Sequence, residues 1–140
     1  MLVLLSACVN GVFDPKLRFV PGERLARLER AAEAYAEGLR WGDIERAAAL
    51  VSPSRRAELR KLLRERHHAP RFTRVEVTSI ELEPDGEHAK VRLSLDLYRP
   101  PVLHETSLYE EQTWQYVPES RAWYVVPDLA LYRGDAVSER

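Results

Sequence analysis

Cysteine is almost absent from this sequence, since Cys8 is the only one among 140 residues. A single cysteine excludes an internal disulfide framework and a zinc site built from several thiolates. No stretch approaches the roughly 20 consecutive apolar residues that a membrane-spanning helix needs. An excess of one charge is also lacking, because 21 Lys and Arg residues face 22 Asp and Glu residues. This balance gives no broad attraction to nucleic acid, so we expect no nucleic-acid partner.

The remaining composition is that of an ordinary globular domain, with 45% hydrophobic and 31% charged residues. A chain of this length is large enough to bury a core without disulfides or a structural metal. We therefore predict one folded domain, preceded by an apolar segment at residues 1–5.

Helical periodicity starts at Glu23, after a proline- and glycine-containing segment at residues 9–22. Apolar residues then recur at three- and four-residue steps, which predicts an amphipathic helix that ends at Gly42. Asp43 is placed to cap a second helix over residues 43–51, and Ser52-Pro53 predicts the start of a third. The third helix is strongly basic and is expected to end near Pro70.

After Pro70 the apolar period changes to two, which is typical of strands. The segment 73–82 contains a one-residue slip near Thr78-Ser79, which predicts a β-bulge. Further strands are predicted at residues 88–98, 105–117 and 122–126, with a short tail from Pro127 onward. Helices followed by strands indicate an α+β fold, in which N-terminal helices pack on a curved antiparallel sheet of about four strands. The leucines of strand 88–98 favour packing of that face against the helices.

The segment AYAEGLRWGDIERAAALV (residues 34–51) resembles the opening signature of the nuclear-transport-factor-2-like superfamily, also called the cystatin-like cone. The matching positions are Tyr35, Leu39, Gly42-Asp43 and Leu50-Val51. The segment WQYVPESRAWYVV resembles the closing hairpin of that superfamily, with Trp123 at the start of its last strand. The resemblance covers about residues 23–126 and implies a cone-shaped fold. Where many members have a short strand, this chain has its basic third helix.

The resemblance also allows a comparison with ketosteroid isomerase, which uses a carboxylate base, a tyrosine and a protonated carboxylic acid. Tyr35 corresponds to the tyrosine, but the position of the base falls in residues 54–57, which contain no carboxylate. The second acid aligns with Gln112, which can donate a hydrogen bond but is not an acid. We therefore predict no catalytic residue and keep an isomerase or dehydratase with a pocket around Tyr35 and Gln112 as the alternative. The pocket candidates are Tyr35, Trp41, Gln112 and Trp114.

Metal and cofactor sites are not expected. His67 and His68 are adjacent, whereas a metal pair on a helix prefers i, i+4 spacing. His88 and His104 are expected to lack acidic or cysteine partners at metal-ligand spacing.

The polar face of the sheet is a candidate interaction surface, because aromatic residues lie among charges there. Its candidate residues are Asp96, Tyr98, Tyr109 and Tyr116. Members of the superfamily often pair through this face, so a protein partner or a homodimer is expected.

Leu5-Ser6-Ala7-Cys8 resembles a bacterial lipobox, in which small residues precede a cysteine that receives a diacylglycerol. Only seven residues precede Cys8 and none is basic, which either a start codon further upstream or a sequence that lacks the first part of the signal would explain. The resemblance implies a membrane anchor at Cys8. Val9 follows in place of an aspartate that would retain a lipoprotein at the inner membrane, so the periplasmic face of the outer membrane is expected.

These patterns divide the chain into a signal remnant (1–8), a tether (9–22), the folded domain (23–133) and a tail (134–140). The expected function is that of a lipid-anchored, non-catalytic envelope domain, which binds a protein partner or a small apolar ligand. The alternatives are the isomerase or dehydratase and a soluble cytosolic dimer whose N-terminus is merely apolar.

Overall fold

The computed structural model describes residues 21–65 and 68–134. The predicted lipobox, with Cys8, and the predicted tether up to residue 20 lie outside the described residues, as do residues 135–140. The elements follow in the order α1 (Pro21–Trp41), α2 (Ile44–Ala49), α3 (Pro53–Arg64), β1 (Arg71–Leu82), β2 (His88–Arg99), β3 (Val102–Val117), β4 (Ala122–Val126) and α4 (Leu129–Arg133). No helix in the described part of the chain is long and apolar enough to cross a membrane.

The three N-terminal helices form where the sequence predicts them. The predicted apolar face of α1 is buried at Leu28, Ala32, Tyr35 and Leu39. Gly42 ends α1 with a left-handed φ of 70°, a conformation that glycine adopts without a Cβ penalty. The Asp43 carboxylate caps α2 by accepting the Arg46 N–H at 3.1 Å. The expected end of α3 near Pro70 is wrong, because the helix ends at Arg64.

The four strands form one antiparallel sheet in the order β1-β2-β3-β4. The predicted bulge is confirmed by a register shift between Val77 and Ser79, and a second shift lies between Phe72 and Arg74. β3 begins at Val102, three residues before the prediction, because the β2–β3 turn is tight enough to pair Val102 with Arg99.

The C-terminal region contains a helix where the sequence predicts a short tail. The Asp128 carboxylate begins α4 by accepting the Ala130 N–H at 3.1 Å. Gly134 ends the helix with a φ of 81°. The helix is five residues long, too short for its apolar residues to show a helical period.

The leucine face of β2 packs against the helices, as expected. Ala89, Val91, Leu93, Leu95 and Leu97 are all buried, in one core with α1 and α4. The main chain of α1 approaches the two edge strands, β1 and β4. The sheet therefore curves around α1, which is the predicted α+β architecture.

The direction of α1 defines two ends of the domain. Near the start of α1, the Arg24 guanidinium donates to the Gly86 carbonyl in the β1–β2 turn at 2.9 Å. Near its end, the Arg40 guanidinium donates to the Phe72 carbonyl at the start of β1 at 3.2 Å. The end of α1 thus lies at the same end of the sheet as the β2–β3 hairpin turn, which we call the hairpin end.

Candidate functional site

A group of hydrogen-bonding side chains is buried between the sheet, α1 and α4. Each member is at most 1% exposed to solvent. Three members lie on the inner face of β3, one on α1 and one on α4, and they are Glu110, Gln112, Trp114, Tyr35 and Tyr132. We call this group the Glu110 cluster.

Glu110 accepts hydrogen bonds at both carboxylate oxygens. The Tyr132 hydroxyl donates to Oε1 at 2.7 Å, and the Gln112 amide donates to the same oxygen at 2.9 Å. The Asp128 backbone N–H donates to Oε2 at 2.9 Å. Because Asp128 caps α4 and Tyr132 lies within it, the carboxylate links this helix to β3.

Two aromatic residues extend the network across the core. The Tyr35 and Tyr132 hydroxyl oxygens lie 2.6 Å apart. Since the Tyr132 hydroxyl donates its hydrogen bond to Glu110, the Tyr35 hydroxyl is the donor in this pair. On the other side, the Trp114 indole N–H donates to the Gln112 carbonyl oxygen at 3.0 Å. The rings of Tyr35 and Trp114 also meet edge to face, with centroids 6.2 Å apart.

Burial controls the protonation of the cluster. Loss of water raises the pKa of Glu110 to about 7, although its hydrogen bonds oppose the change. Burial also raises the pKa of Tyr35 and of Tyr132 well above the usual value, and the nearby Glu110 charge adds to both effects. The cluster therefore contains one carboxyl group that exchanges its proton near neutral pH and two tyrosines that remain neutral there.

The cluster is closed in this conformation. Throughout residues 21–65 and 68–134, every buried side-chain nitrogen or oxygen has a hydrogen-bond partner. The full burial of Glu110 and its saturated hydrogen bonds fit a role in holding the core and α4 together.

An open cleft lies at the hairpin end, between the β2–β3 hairpin and the C-terminal end of α4. Its volume is about 540 Å³. The walls include the buried side chains of Leu97, Leu108 and Leu131. Val102 lies at the rim and is 63% exposed. We call this site the hairpin cleft.

Basic side chains surround the hairpin cleft. His68, Arg99, His104 and Arg133 line it, and the described lining residues include no aspartate or glutamate. The Arg99 guanidinium donates to the carbonyl oxygens of His68 and Leu131, at 3.1 and 3.0 Å. These two hydrogen bonds fix the position of the guanidinium between the segment at His68 and α4.

The predicted pocket residues separate into two places. Tyr35, Gln112 and Trp114 meet in the closed Glu110 cluster and are not among the described residues that line the hairpin cleft. Trp41 is 69% exposed and lines a second, smaller cleft of about 330 Å³ at the hairpin end. The Arg40 guanidinium lies over its indole ring, 4.3 Å from the ring centroid.

The predicted interaction residues also separate. Asp96 lies on the outer face of the sheet, where Arg74 Nε contacts its carboxylate at 2.9 Å. Tyr109 lies on the same face and is 40% exposed. Tyr98 lines both clefts at the hairpin end. Tyr116 packs on the inner side against Trp123, with ring centroids 5.3 Å apart.

The expectation that His88 lacks an acidic partner is wrong. Its Nδ1 lies 2.6 Å from Asp85 Oδ2, and potential ligand atoms of Glu83, Asp85 and His88 lie within 4.8 Å of one another. The β1–β2 turn brings these residues together, because the Asp85 carboxylate also accepts the N–H groups of Glu87 and His88. The hydrogen bond with Asp85 raises the pKa of His88, and the two side chains form an exposed His–Asp pair within the turn.

No family model matches the sequence, and no curated protein matches it significantly. Solved structures do match. A SEC-C motif containing protein from Rhodopseudomonas palustris aligns with a TM-score of 0.53 and 20% identity, over 75% of this chain and 84% of that one. A candidate dehydratase of the nuclear-transport-factor-2-like family, from Streptomyces avermitilis, aligns with a TM-score of 0.50 and 14% identity, over 79% of this chain and all of that one. The chain has the nuclear-transport-factor-2-like fold.

A third structure, a protein of unknown function with a cystatin-like fold from Nostoc punctiforme, aligns with a TM-score of 0.48 and 12% identity. It covers 73% of this chain and 85% of that one. At these identities the likeness concerns the nuclear-transport-factor-2-like fold alone, because one fold supports many functions.

Two residues of the cluster were missed by the sequence analysis. Glu110 alternates with Leu108, Gln112 and Trp114, so the strand period already placed it on the inner face. A carboxylate among the inward-facing residues of a strand was therefore the signal from which Glu110 could have been predicted as a site residue. Tyr132 gave no comparable signal, because it lies in the segment that was predicted as a tail.

Proposed function

We propose that this protein is a lipid-anchored, non-catalytic domain of the bacterial cell envelope that binds a small apolar ligand in the hairpin cleft. The observation that carries the proposal is the contrast between two regions of the core. The Glu110 cluster is closed and saturated with hydrogen bonds, whereas the hairpin cleft is open and lined by leucines. Its volume of about 540 Å³ lies within the range of small-molecule sites.

The anchor rests on the sequence motif. Leu5-Ser6-Ala7-Cys8 supplies the small residues and the thiol that lipidation requires, and the proposed location is the periplasmic face of the outer membrane. Expression of the full-length gene with an alkyne analogue of palmitate tests this. We expect label on the wild-type chain and none on Cys8→Ala, and an unlabelled wild-type chain would exclude the anchor.

Binding is tested separately with the unlipidated full chain carrying Cys8→Ser. The probe is N-phenyl-1-naphthylamine, a neutral apolar dye whose fluorescence increases on burial. We expect saturable binding with one dye per chain. Thr106→Trp, which places an indole in the cleft, should abolish the signal, whereas Thr113→Trp on the exposed outer face of β3 should leave it unchanged. Equal signals from both variants would contradict the proposal.

A protein that binds to the outer face of the sheet is the other partner consistent with the fold. Asp96 and Tyr109 on the outer face of the sheet support this reading, because an aromatic side chain lies there among charges. A second copy of the chain would bind through the same face. Sedimentation of the wild-type chain and of Tyr109→Ala measures this: a dimer that dissociates in the variant supports the sheet face, and a monomeric wild-type chain rules out the homodimer.

The Glu110 cluster favours a second candidate function, an isomerase or dehydratase. The carboxyl group has a pKa raised to about 7 and connects to Tyr35 through Tyr132. These are the groups needed for proton transfer beside a developing oxyanion, provided that α4 moves to admit a substrate. Proton exchange of β,γ-unsaturated ketones and dehydration of 3-hydroxyacyl thioesters can be followed by NMR. Turnover that disappears in Glu110→Gln would support the enzyme, and equal rates in both proteins would exclude it.

A further inference from the structure

The exposed large hydrophobic side chains of this domain are concentrated at the hairpin end. Within residues 21–65 and 68–134 these side chains are Trp41, Val102, Leu103 and Tyr109. The first three lie at the hairpin end, whereas Tyr109 lies on the outer face of the sheet. Apolar side chains that gather at one place on the surface, unlike single ones, indicate an interaction site.

The tip of the β2–β3 hairpin projects from the body of the domain. Residues 101–105 are all exposed, although successive side chains of a strand point to opposite faces of the sheet. Both faces of the chain are therefore uncovered here, and Val102 and Leu103 are 63% and 79% exposed. The turn before them is tight, because Val102 pairs with Arg99. The hairpin thus presents two adjacent apolar side chains at its outermost point.

Trp41 places an indole ring at the same end of the domain. It is the last residue of α1, and the cleft that it lines shares Tyr98 with the hairpin cleft. Tryptophan is enriched where a membrane meets water, because its ring is apolar and its N–H is polar. Valine and leucine favour the hydrocarbon region beyond that boundary. The three side chains together have the composition of a surface that contacts a lipid bilayer.

The predicted tether is long enough for the hairpin end to face the membrane. α1 starts at the opposite end of the domain and contains 21 residues, so it is about 30 Å long. The chain from Cys8 to Pro21 spans at most about 45 Å when fully extended. An anchor at Cys8 therefore reaches the bilayer even when the start of α1 points away from it. The end at which α1 starts carries none of the four exposed hydrophobic side chains.

We propose that the hairpin end is the surface through which the anchored domain contacts the lipid bilayer, with Val102 and Leu103 in the hydrocarbon and Trp41 at the level of the headgroups. This inference rests on the proposed lipid anchor, which keeps the domain close to the membrane and makes a small apolar contact sufficient. The hairpin cleft, which Val102 lines, then opens beside the bilayer. An apolar ligand moves between the bilayer and the cleft with little exposure to water.

The test couples the unlipidated full chain to vesicles through Cys8, whose thiol is the only one in the sequence. The vesicles consist of phosphatidylcholine with a small fraction of a maleimide-bearing lipid. Their acyl chains are either unmodified or brominated close to the headgroup, because bromine quenches tryptophan fluorescence on contact. Trp41 is the exposed one of three tryptophans, since Trp114 and Trp123 are at most 2% exposed. We expect its emission to shift to shorter wavelength on both kinds of vesicle and to be quenched on the brominated ones.

Matched substitutions locate the contact. Leu103→Asp should abolish the shift and the quenching, because a charged side chain is costly in hydrocarbon. Ser120→Asp adds the same charge in the exposed turn after β3, at the opposite end of the domain, and should leave both signals unchanged. Trp41→Phe should remove the quenched emission, which identifies its source. Circular dichroism checks that each variant folds.

The results that would overturn the inference are specific. One is unchanged emission of the coupled wild-type chain, and another is equal quenching in Leu103→Asp and Ser120→Asp. Quenching that appears only when phosphatidylglycerol is added to the vesicles would assign the contact to charged groups. A wild-type chain that sediments as a dimer, with Leu103→Asp as a monomer, would assign the hairpin tip to a second copy of the chain. Both of these results would overturn the apolar contact.

Failure of the inference and failure of the proposed anchor give different results. Coupling to the vesicles is chemical, so it places Cys8 at the membrane whether or not the cell lipidates it. Missing palmitate label on the wild-type chain would overturn the anchor and, with it, the orientation proposed for the cell. Label in the cell without quenching on the coupled vesicles would overturn only the contact through the hairpin end.

Discussion

The hydroxyl groups of Tyr35 and Tyr132 lie 2.6 Å apart, although 97 positions separate the two residues in the chain. Through this contact the first helix reaches the last one, and through Tyr132 it reaches Glu110 on the sheet. The tyrosine pair therefore joins three parts of the fold in one buried network. Removal of single hydroxyl groups should show how the network contributes to stability.

Tyr132→Phe should reduce the free energy of unfolding by about 1–3 kcal/mol, because it leaves two buried polar groups with fewer partners. Tyr35→Phe removes a donor from the end of the network and should cost about 1 kcal/mol. The two losses should not add, since both variants break the same contact. Urea unfolding of the two single variants and of the double variant measures these losses, with Tyr124→Phe as the control. Additive losses would show that the hydroxyl contact does not couple the helices.

The raised pKa of Glu110 predicts a stability that falls with increasing pH. The folded protein retains the proton up to about pH 7, whereas an unfolded glutamate releases it near 4.5. Between these values the folded state binds more protons, so its stability is full below pH 4.5 and decreases until about pH 7. The decrease is on the order of 3 kcal/mol.

Glu110→Gln isolates this effect from the other titrating groups. The variant loses the carboxylate and should be less stable overall, but the part of the pH dependence due to Glu110 should vanish. Unfolding free energies of both proteins at pH 4.5, 6 and 8 give the comparison. If the unfolding free energies of the two proteins changed with pH in parallel, Glu110 would have an ordinary pKa in the folded state.

Gly134→Ala should loosen the end of α4. The φ of 81° is unfavourable for alanine, and the new Cβ would lie 3.2 Å from the Arg99 Nε. We expect a loss of about 1–2 kcal/mol and faster amide hydrogen exchange in Leu129–Arg133. Gly22→Ala is the matched control. Gly22 lies in the helix α1, and a Cβ at this position would meet no atom within 4 Å. If both substitutions leave amide hydrogen exchange in α4 unchanged, Gly134 is not required to hold the end of this helix.

Asp96→Ala should weaken the outer face of the sheet. Its carboxylate is only 14% exposed, contacts Arg74 Nε at 2.9 Å and accepts the Ser107 hydroxyl at 2.7 Å. We expect a loss of about 1–2 kcal/mol in chemical unfolding, because two partners lose their acceptor. Glu76→Ala removes a more exposed carboxylate 3.8 Å from the same arginine and should cost about 0.5 kcal/mol or less. Comparable losses of stability in the two variants would show that the burial of Asp96 does not strengthen the contacts of its carboxylate.

Much of the fold could be predicted from periodicity, because neighbouring residues on one face of a helix or strand are buried together. This rule located α1, the bulge near Thr78-Ser79 and the leucine face of β2. It failed at α4, which is too short to complete two turns. The prediction of Tyr116 as a surface residue did not apply the rule, because its alternation with Trp114 puts it on the inner side of β3.

The candidate site shows the same division. The sequence by itself determined which strand residues point inward, including Gln112 and Trp114, because alternation along a strand is a local property of the backbone. Only the tertiary structure decided what those residues contact. The closure of the Glu110 cluster depends on Tyr132 and Asp128, and the hairpin cleft depends on the distance between α4 and the β2–β3 turn. These contacts join segments that are far apart in the chain. They form only when the folded chain brings those segments together and buries them, so no local sequence pattern predicts them.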